Sequence, residues 1–461
     1  MGRPYPRIVW RERRVKSLTG IIAAIPILLL FGCSHKTRDA AKSRSAYLQE
    51  VAAIHRAGLP VYPGDLKKTP PPPERNAAPL YQALPAIKNS KPLPETAEET
   101  LGYLYSRKTP TPEQLAAGRQ LLTSRKDILR AIHDAISLPD CDFRHNWALG
   151  PALTLPDSDM RSATRWISAE SALFLLDGKP IDAVNNLALG FRIGKHVSKD
   201  PIIIAYLVGV ATDSITLAGL EKVLYLAGEK TGVAEAVSAS IVKNWKPNSL
   251  AHAMGGEFVT QTVSLEMLRR GGLDEFRKEM GVSEENFKLL YTPGAGDWQP
   301  WVDDNGIFML EITRKTTQSC ELPYPESHRI MTGVNAEKES GIKRDMSIAY
   351  MILPDSDQLL VKRASIQARM DIDRTAAKLI AWKQHHGRFP EKLGQAIPSV
   401  PADPFDLKPL RYRREGSGFV LYSIGETGKF DGGTVAVKPD AKESLFRYPR
   451  PAYMDQGAKP N

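Results

Sequence analysis

Apolar residues recur at helical spacing from residue 112 to about 290. Pro112 and Glu113 open the stretch, and Leu115, Leu121, Leu122, Ile128, Leu129 and Ile132 follow on one face of a predicted helix. Two more helices are predicted at roughly 160–177 and 180–198, joined by the turn Asp177-Gly178-Lys179-Pro180. Ala169, Ala172, Ala183 and Ala188 are small enough for this pair to pack closely. The run from Ile202 to Ala227 is apolar on every side. Asp213, Glu221 and Lys222 interrupt it, so it reads as a buried core helix rather than a membrane span. Further helices are predicted at 231–244, 249–270 and 283–291.

The period changes near the C-terminus. A long amphipathic helix runs from Asp357 through Leu360, Ile366, Ile372, Ala376, Leu379, Ile380 and Trp382, and ends at His385-His386-Gly387, with Pro390 beyond. Leu410-Arg411-Tyr412-Arg413 and Phe419 to Gly425 then read as strands around the turn Gly416-Ser417-Gly418. The fold class expected is α+β. A mainly helical domain covers 112–352, a helix-plus-sheet module 353–440, and a flexible tail 441–461. Leu155-Pro156-Asp157-Ser158-Asp159 recurs as Leu353-Pro354-Asp355-Ser356-Asp357, each copy ahead of a long helical pattern, and both read as N-caps.

Residues 1–19 carry Arg3, Arg7, Arg11, Arg13, Arg14 and Lys16 against Glu12, and an apolar run follows from Gly20 to Phe31. That is the layout of an export signal. The run is too short to cross a bilayer, which takes about 20 residues. Leu30-Phe31-Gly32-Cys33 resembles the lipobox of bacterial lipoproteins, with Leu three before the cysteine and a small residue just before it. The resemblance implies cleavage after residue 32 and a lipid on Cys33. It also implies attachment in the cell envelope, with the outer membrane favoured over the outer face of the cytoplasmic membrane because Ser34, not Asp, follows. Residues 33–111 are expected to form a tether passing into a short helix, then a proline-rich spacer around Pro70-Pro71-Pro72-Pro73 with Leu80, Tyr81 and Leu84 as anchors.

The order Gly387-Arg388-Phe389-Pro390, Asp403-Pro404, Tyr412-Arg413 and Leu421-Tyr422-Ser423, closed by the loop Glu426 to Gly433, resembles the globular part of the major pseudopilin of type II secretion. The resemblance spans about a sixth of the chain. It implies a long helix packed on antiparallel strands. The chain departs from the family in two respects. Its helix carries Lys362, Arg363, Arg369, Asp371, Asp373 and Arg374, which an apolar pilus core would not accept. Thr427 stands where the family's calcium loop has an aspartate, leaving Glu426 and Asp431 as the candidate ligands beside the positive Lys429. Calcium needs several oxygens at once, so no metal or other cofactor is expected.

Composition narrows the function little. The chain of 461 residues has 62 basic and 52 acidic side chains, a net charge of +10. Once the six basic residues and one acid of residues 1–32 are set aside, 56 basic and 51 acidic residues leave +5. Such a mild excess gives no case for nucleic acid, which calls for clustered positive charge. Cys141 and Cys320 remain after Cys33, and both a disulfide between them and two separately buried thiols are compatible with the sequence. His133, Asp134, Asp140, Cys141, Asp142 and His145 have the chemistry of metal ligands but read as loop polarity. Ser340-Gly341-Ile342-Lys343 reads as a solvated helix start. The function expected is a membrane-anchored envelope protein that binds or scaffolds another protein without catalysis. The alternative is a secreted hydrolase whose site assembles only in three dimensions in the helical domain.

Overall fold

Capping side chains set where helices begin. Asp39, Thr111, Ser249 and Asp355 each accept the backbone N–H three residues on, at 3.0, 3.3, 3.0 and 3.3 Å. The computed structural model describes residues 39–450 apart from 107, 154–156, 271–297, 344–345 and 429–443. The α-helices in these residues are α1 (Ala40–Arg56), α2 (Ala78–Ser90), α3 (Ala97–Tyr105), α4 (Pro112–Ser124), α5 (Lys126–Ser137), α6 (Asp157–Leu176), α7 (Pro180–Val197), α8 (Ile203–Ala227), α9 (Val233–Asn244) and α10 (Leu250–Arg269). They continue with α11 (Trp298–Ser319), α12 (Tyr324–Lys343), α13 (Ser347–Ile352), α14 (Ser356–His386) and α15 (Leu393–Ala396). Strands β1 (Arg411–Glu415), β2 (Gly418–Tyr422) and β3 (Leu445–Tyr448) form an antiparallel sheet in the order β1-β2-β3. The described residues are mostly helical with this one small sheet, an α+β composition.

Three apolar cores organise the chain. The first joins α1, α10, α11 and α12 through Val51, Met254, Phe258, Met309 and Met331. The second joins α2, α3, α5 and α6 through Tyr81, Leu101, Ile132 and Trp166. The third joins α7, α9 and the sheet through Phe191, Val237, Phe419 and Phe446. Helix α8 enters all three, with Tyr206 in the first, Val208 in the second and Leu217, Leu220 and Leu224 in the third. A helix that is apolar all round belongs inside a protein or a membrane. By length and composition alone α8 could cross a bilayer, but here it packs against α6, α7, α9, α10 and α14. Its three ionisable side chains are buried with partners. Trp245 donates to Asp213 at 2.9 Å, Lys222 donates to the carbonyls of Leu104 and Ser106 at 2.8 and 3.0 Å, and Arg369 pairs with Glu221 at 3.2 Å.

Helix α14 joins the first core to the third. Leu359, Leu360, Ala364 and Ala368 lie in the first; Ile366, Met370, Ile372, Ala376, Leu379 and Ile380 lie in the third. The apolar core therefore runs across residue 353, where the sequence pattern places a domain boundary. Gly387, at φ +71°, closes α14 in the left-handed conformation glycine accepts without strain.

Several expectations change. The helix predicted to run through 112–132 is two helices, broken at Arg125, whose φ of −120° is not helical. That break turns the Arg125 guanidinium toward the C-terminal end of α2, where it donates to the carbonyls of Ile87, Lys88 and Lys91 at 2.7, 3.2 and 2.7 Å. The proline-rich stretch is anchored where expected, at Leu80, Tyr81 and Leu84, and is more regular than a spacer. It folds as two 3-10 turns, Pro63–Leu66 and Pro73–Arg75, and as α2, with Tyr81 and Leu84 fully buried. Proline costs little in a first turn, and α2 also carries an interior proline, Pro85, beside the buried Leu84. Ser340 to Lys343 end α12 rather than starting a helix. Residues 441–461, expected as a tail, contain β3, which pairs Phe446 with Leu421. The predicted helix at 283–291 lies outside the described residues.

Candidate functional site

The residues singled out by the sequence do not converge. Cys33 and Asp431 lie outside the described residues. Glu426 sits half-buried in the turn after β2; burial first, and then the charges of Asp357 and Glu426, push the Tyr324 phenol up. Cys141 and Cys320 are free thiols buried in different cores, the second and the first, so the paired alternative is not the one adopted. Burial pushes both thiols up, Cys320 to about 12, which leaves them protonated and unreactive.

Several polar groups of the cluster at 133–145 are engaged by other side chains. His133 pairs with Glu170 and His145 with Asp200, each at 2.8 Å, and Asp140 takes Arg75 and Lys199. Among the described residues no three His, Cys, Asp or Glu side chains gather to hold a metal.

A cleft of about 330 Å³ opens instead where α8, the segment after α9, the α11–α12 connection, α14 and the turn before β1 meet. That volume is at the small end of ligand pockets, roughly 300–1,000 Å³. Tyr206 and Asp213 come from α8, Trp245 follows α9, Glu321 and Tyr324 flank the connection, and Arg363 and Gln367 project from α14. The lining is mainly apolar and aromatic, with these few polar groups set into it.

Each polar group has a definite setting. Asp213 is 3% exposed and accepts the Trp245 indole N–H. Gly194 of α7 lets it sit there, because a Cβ at that position would come within 2.9 Å of its Oδ1. Burial raises the Asp213 carboxyl to about 8, against the opposing pull of the Trp245 hydrogen bond and the Lys195 charge, so it is neutral at pH 7. Glu321 accepts from the Ser249 hydroxyl at 2.8 Å. Gln367 donates to Asp371 at 2.7 Å, and Arg374 donates to the other oxygen of that carboxylate at 2.7 Å. The Arg363 guanidinium donates to the Leu322 carbonyl at 2.6 Å.

The rim carries a strained leucine. Leu407 has φ +62°, a conformation that costs a non-glycine residue about 1–2 kcal/mol, and its side chain is 52% exposed. Asp403 holds the turn that imposes it. This fully buried carboxylate accepts the N–H groups of Phe405 and Ile424 at 3.1 and 2.8 Å, the Ser423 hydroxyl at 2.8 Å and Arg411 at 2.6 Å. The Leu407 N–H donates to the Asp403 carbonyl at 2.8 Å, and Arg411 also pairs with Asp406. An apolar side chain is thus kept in an unfavourable backbone geometry at the mouth of a cleft.

In the sequence Asp213 reads only as an interruption of an apolar run and Arg363 only as a charge on a helix. A lone acid inside such a run was the available signal. Trp245, Tyr324 and Leu407 gave none, because they come together only when five separate segments meet.

The Asp213 shift fixes a pH dependence. A carboxyl raised from 3.8 to about 8 keeps its proton when folded and loses it when unfolded, so its contribution falls as pH rises from about 4 to about 8 and is level above. Asp213→Asn should therefore melt several degrees higher than the parent at pH 7 and at the same temperature near pH 4. A lower melting temperature at pH 7 would show instead that the carboxylate is stabilising in its charged form. Compared with family models, with curated proteins and with solved structures, the chain matches none, so the role of the cleft rests on its own residues.

Proposed function

We propose that the protein is held in the bacterial cell envelope by a lipid on Cys33 and acts there by binding a small ligand in the cleft, without catalysing a reaction. The tether is supported by the basic segment, apolar run and Leu30-Phe31-Gly32-Cys33 sequence, which supply a thiol for acylation and a small residue for the peptidase. The binding role is carried by the cleft, which combines an apolar, aromatic wall with a few fixed polar groups, the usual make-up of a ligand site. The strained Leu407 adds weight, since backbone strain persists where a function holds it.

The hydrolase alternative receives less support. Acyl transfer calls for a nucleophile beside a base, and the described residues lining the cleft include no Ser, Thr, Cys, His or Lys. The two lining acids, Asp213 and Glu321, are engaged by Trp245 and Ser249.

Two experiments test the parts separately. Cells expressing the full precursor should incorporate a clickable fatty acid into it, and Cys33→Ala should abolish the label; label persisting in the variant refutes the tether. For the cleft, 1-octanol is a neutral probe of suitable size. Calorimetry should show saturable binding that weakens several-fold in Leu407→Gly, while the melting temperature holds or rises because glycine relieves the positive φ. Equal binding by parent and variant would count against the cleft.

A further inference from the structure

The charge balance of the cleft identifies what kind of ligand it takes. Resting on the binding role proposed above, we infer that the cleft accepts a small amphiphile with a single carboxylate head, the head on Arg363 and the apolar body along the wall formed by Tyr206, Trp245 and Tyr324.

Arg363 is the first ground. Four other partly or fully buried arginines are neutralised: Arg44 by Glu266 and Asp303, Arg125 by Asp127, Arg369 by Glu221, and Arg411 by Asp403 and Asp406. Arg363 is half-buried at the cleft, and among the described residues no carboxylate lies within ion-pairing distance of it. Its one protein hydrogen bond there is to the neutral Leu322 carbonyl. A guanidinium carries five N–H donors in a planar fork that matches a carboxylate, so most of that fork is left to a ligand.

None of the nearby acids is hydrogen-bonded to the Arg363 fork among the described residues. Asp213 is protonated at neutral pH by its burial, Glu321 is turned to Ser249, and Asp371 is held by Gln367 and Arg374. An anion approaching the Arg363 fork meets N–H donors that no carboxylate among the described residues occupies, whereas a cation approaching it meets the guanidinium charge.

Size sets the body. A cleft of about 330 Å³ lies at the small end of ligand pockets, which suits a small molecule with a short apolar body. The fit is a short-chain acid, well below the length of a membrane lipid. The aromatic wall supplies apolar area for the chain, and the open side gives it an entry path.

The test compares four probes on the intact lipid-free protein: octanoate, octyl phosphate, 1-octanol and octylamine, each titrated by calorimetry at pH 7. Octanoate should bind most tightly and octylamine least. Arg363→Met should weaken octanoate about tenfold or more, the value of a charge-assisted hydrogen bond, and leave octanol within about twofold. Arg363→Lys should recover part of the loss, since it keeps the charge but not the fork. Retained octanol binding reports that the cleft of each variant is intact. If octanol binds but octanoate is no tighter, or loses nothing in Arg363→Met, the carboxylate inference fails while the cleft survives. Tighter binding of octyl phosphate than of octanoate likewise overturns the carboxylate head. If no probe binds, the cleft reading fails and takes the inference with it.

Discussion

The fold depends on one helix being buried on every side. Helix α8 contributes apolar side chains to all three cores, so none of them can form completely without it. Fully burying one leucine or valine is worth about 1.5–3 kcal/mol, and α8 buries many. The gain comes with a constraint. A helix surrounded on every side must satisfy any polar group it carries, since burying one without a partner costs several kcal/mol. Asp213, Glu221 and Lys222 each meet that requirement through a different neighbour: the segment after α9, α14, and the end of α3. These partners fix how the neighbours dock, and the cleft is a consequence of where they dock.

Helix α14 extends the same logic to the C-terminus. Its first half completes the core shared with α10, α11 and α12; its second half presents Ile372, Leu379 and Ile380 to the core shared with the sheet. Charged residues along α14 have local work here. Arg369 neutralises Glu221 of α8, and Arg374 and Gln367 hold Asp371. The sheet is fixed from the other side by Asp403, which ties the turn before β1 to the end of β2 and in doing so sets Leu407 at the cleft mouth. Gly418 shows how closely β2 and β3 approach, since a Cβ there would come within 1.9 Å of the Tyr448 carbonyl.

Where periodicity was strong, the sequence was legible. The hairpin of α6 and α7, the buried α8, the long α14 stopped by Gly387, and the β1–β2 hairpin all follow from spacing of apolar residues and turn chemistry. Tertiary contacts decided what was missed. Arg125 breaks a regular apolar pattern because capping α2 outweighs continuing a helix. The prolines of 60–94 read as a spacer anchored by Leu80, Tyr81 and Leu84; the anchors hold, and what went unmarked is the regular structure, two 3-10 turns and α2, around them. β3 is a short strand whose pairing partner lies more than twenty residues away, so nothing local marked it. The cleft was illegible for the same reason, because each segment contributes only one or a few residues and none carries a motif.

The central claim is that α8 and α14 make the helical body and the C-terminal sheet one cooperative unit rather than two domains. Native-state hydrogen exchange on the intact protein tests it most directly, because exchange free energies report which segments open together. The account predicts that amides of α14 between Leu359 and Ile380, those of β2, and those of α8 between Leu217 and Leu224 exchange with one common free energy, that of global unfolding. Exchange of α14 and β2 at a clearly lower free energy, while α6, α7 and α8 stay protected, would contradict it and mark residues 353–448 as a separable module.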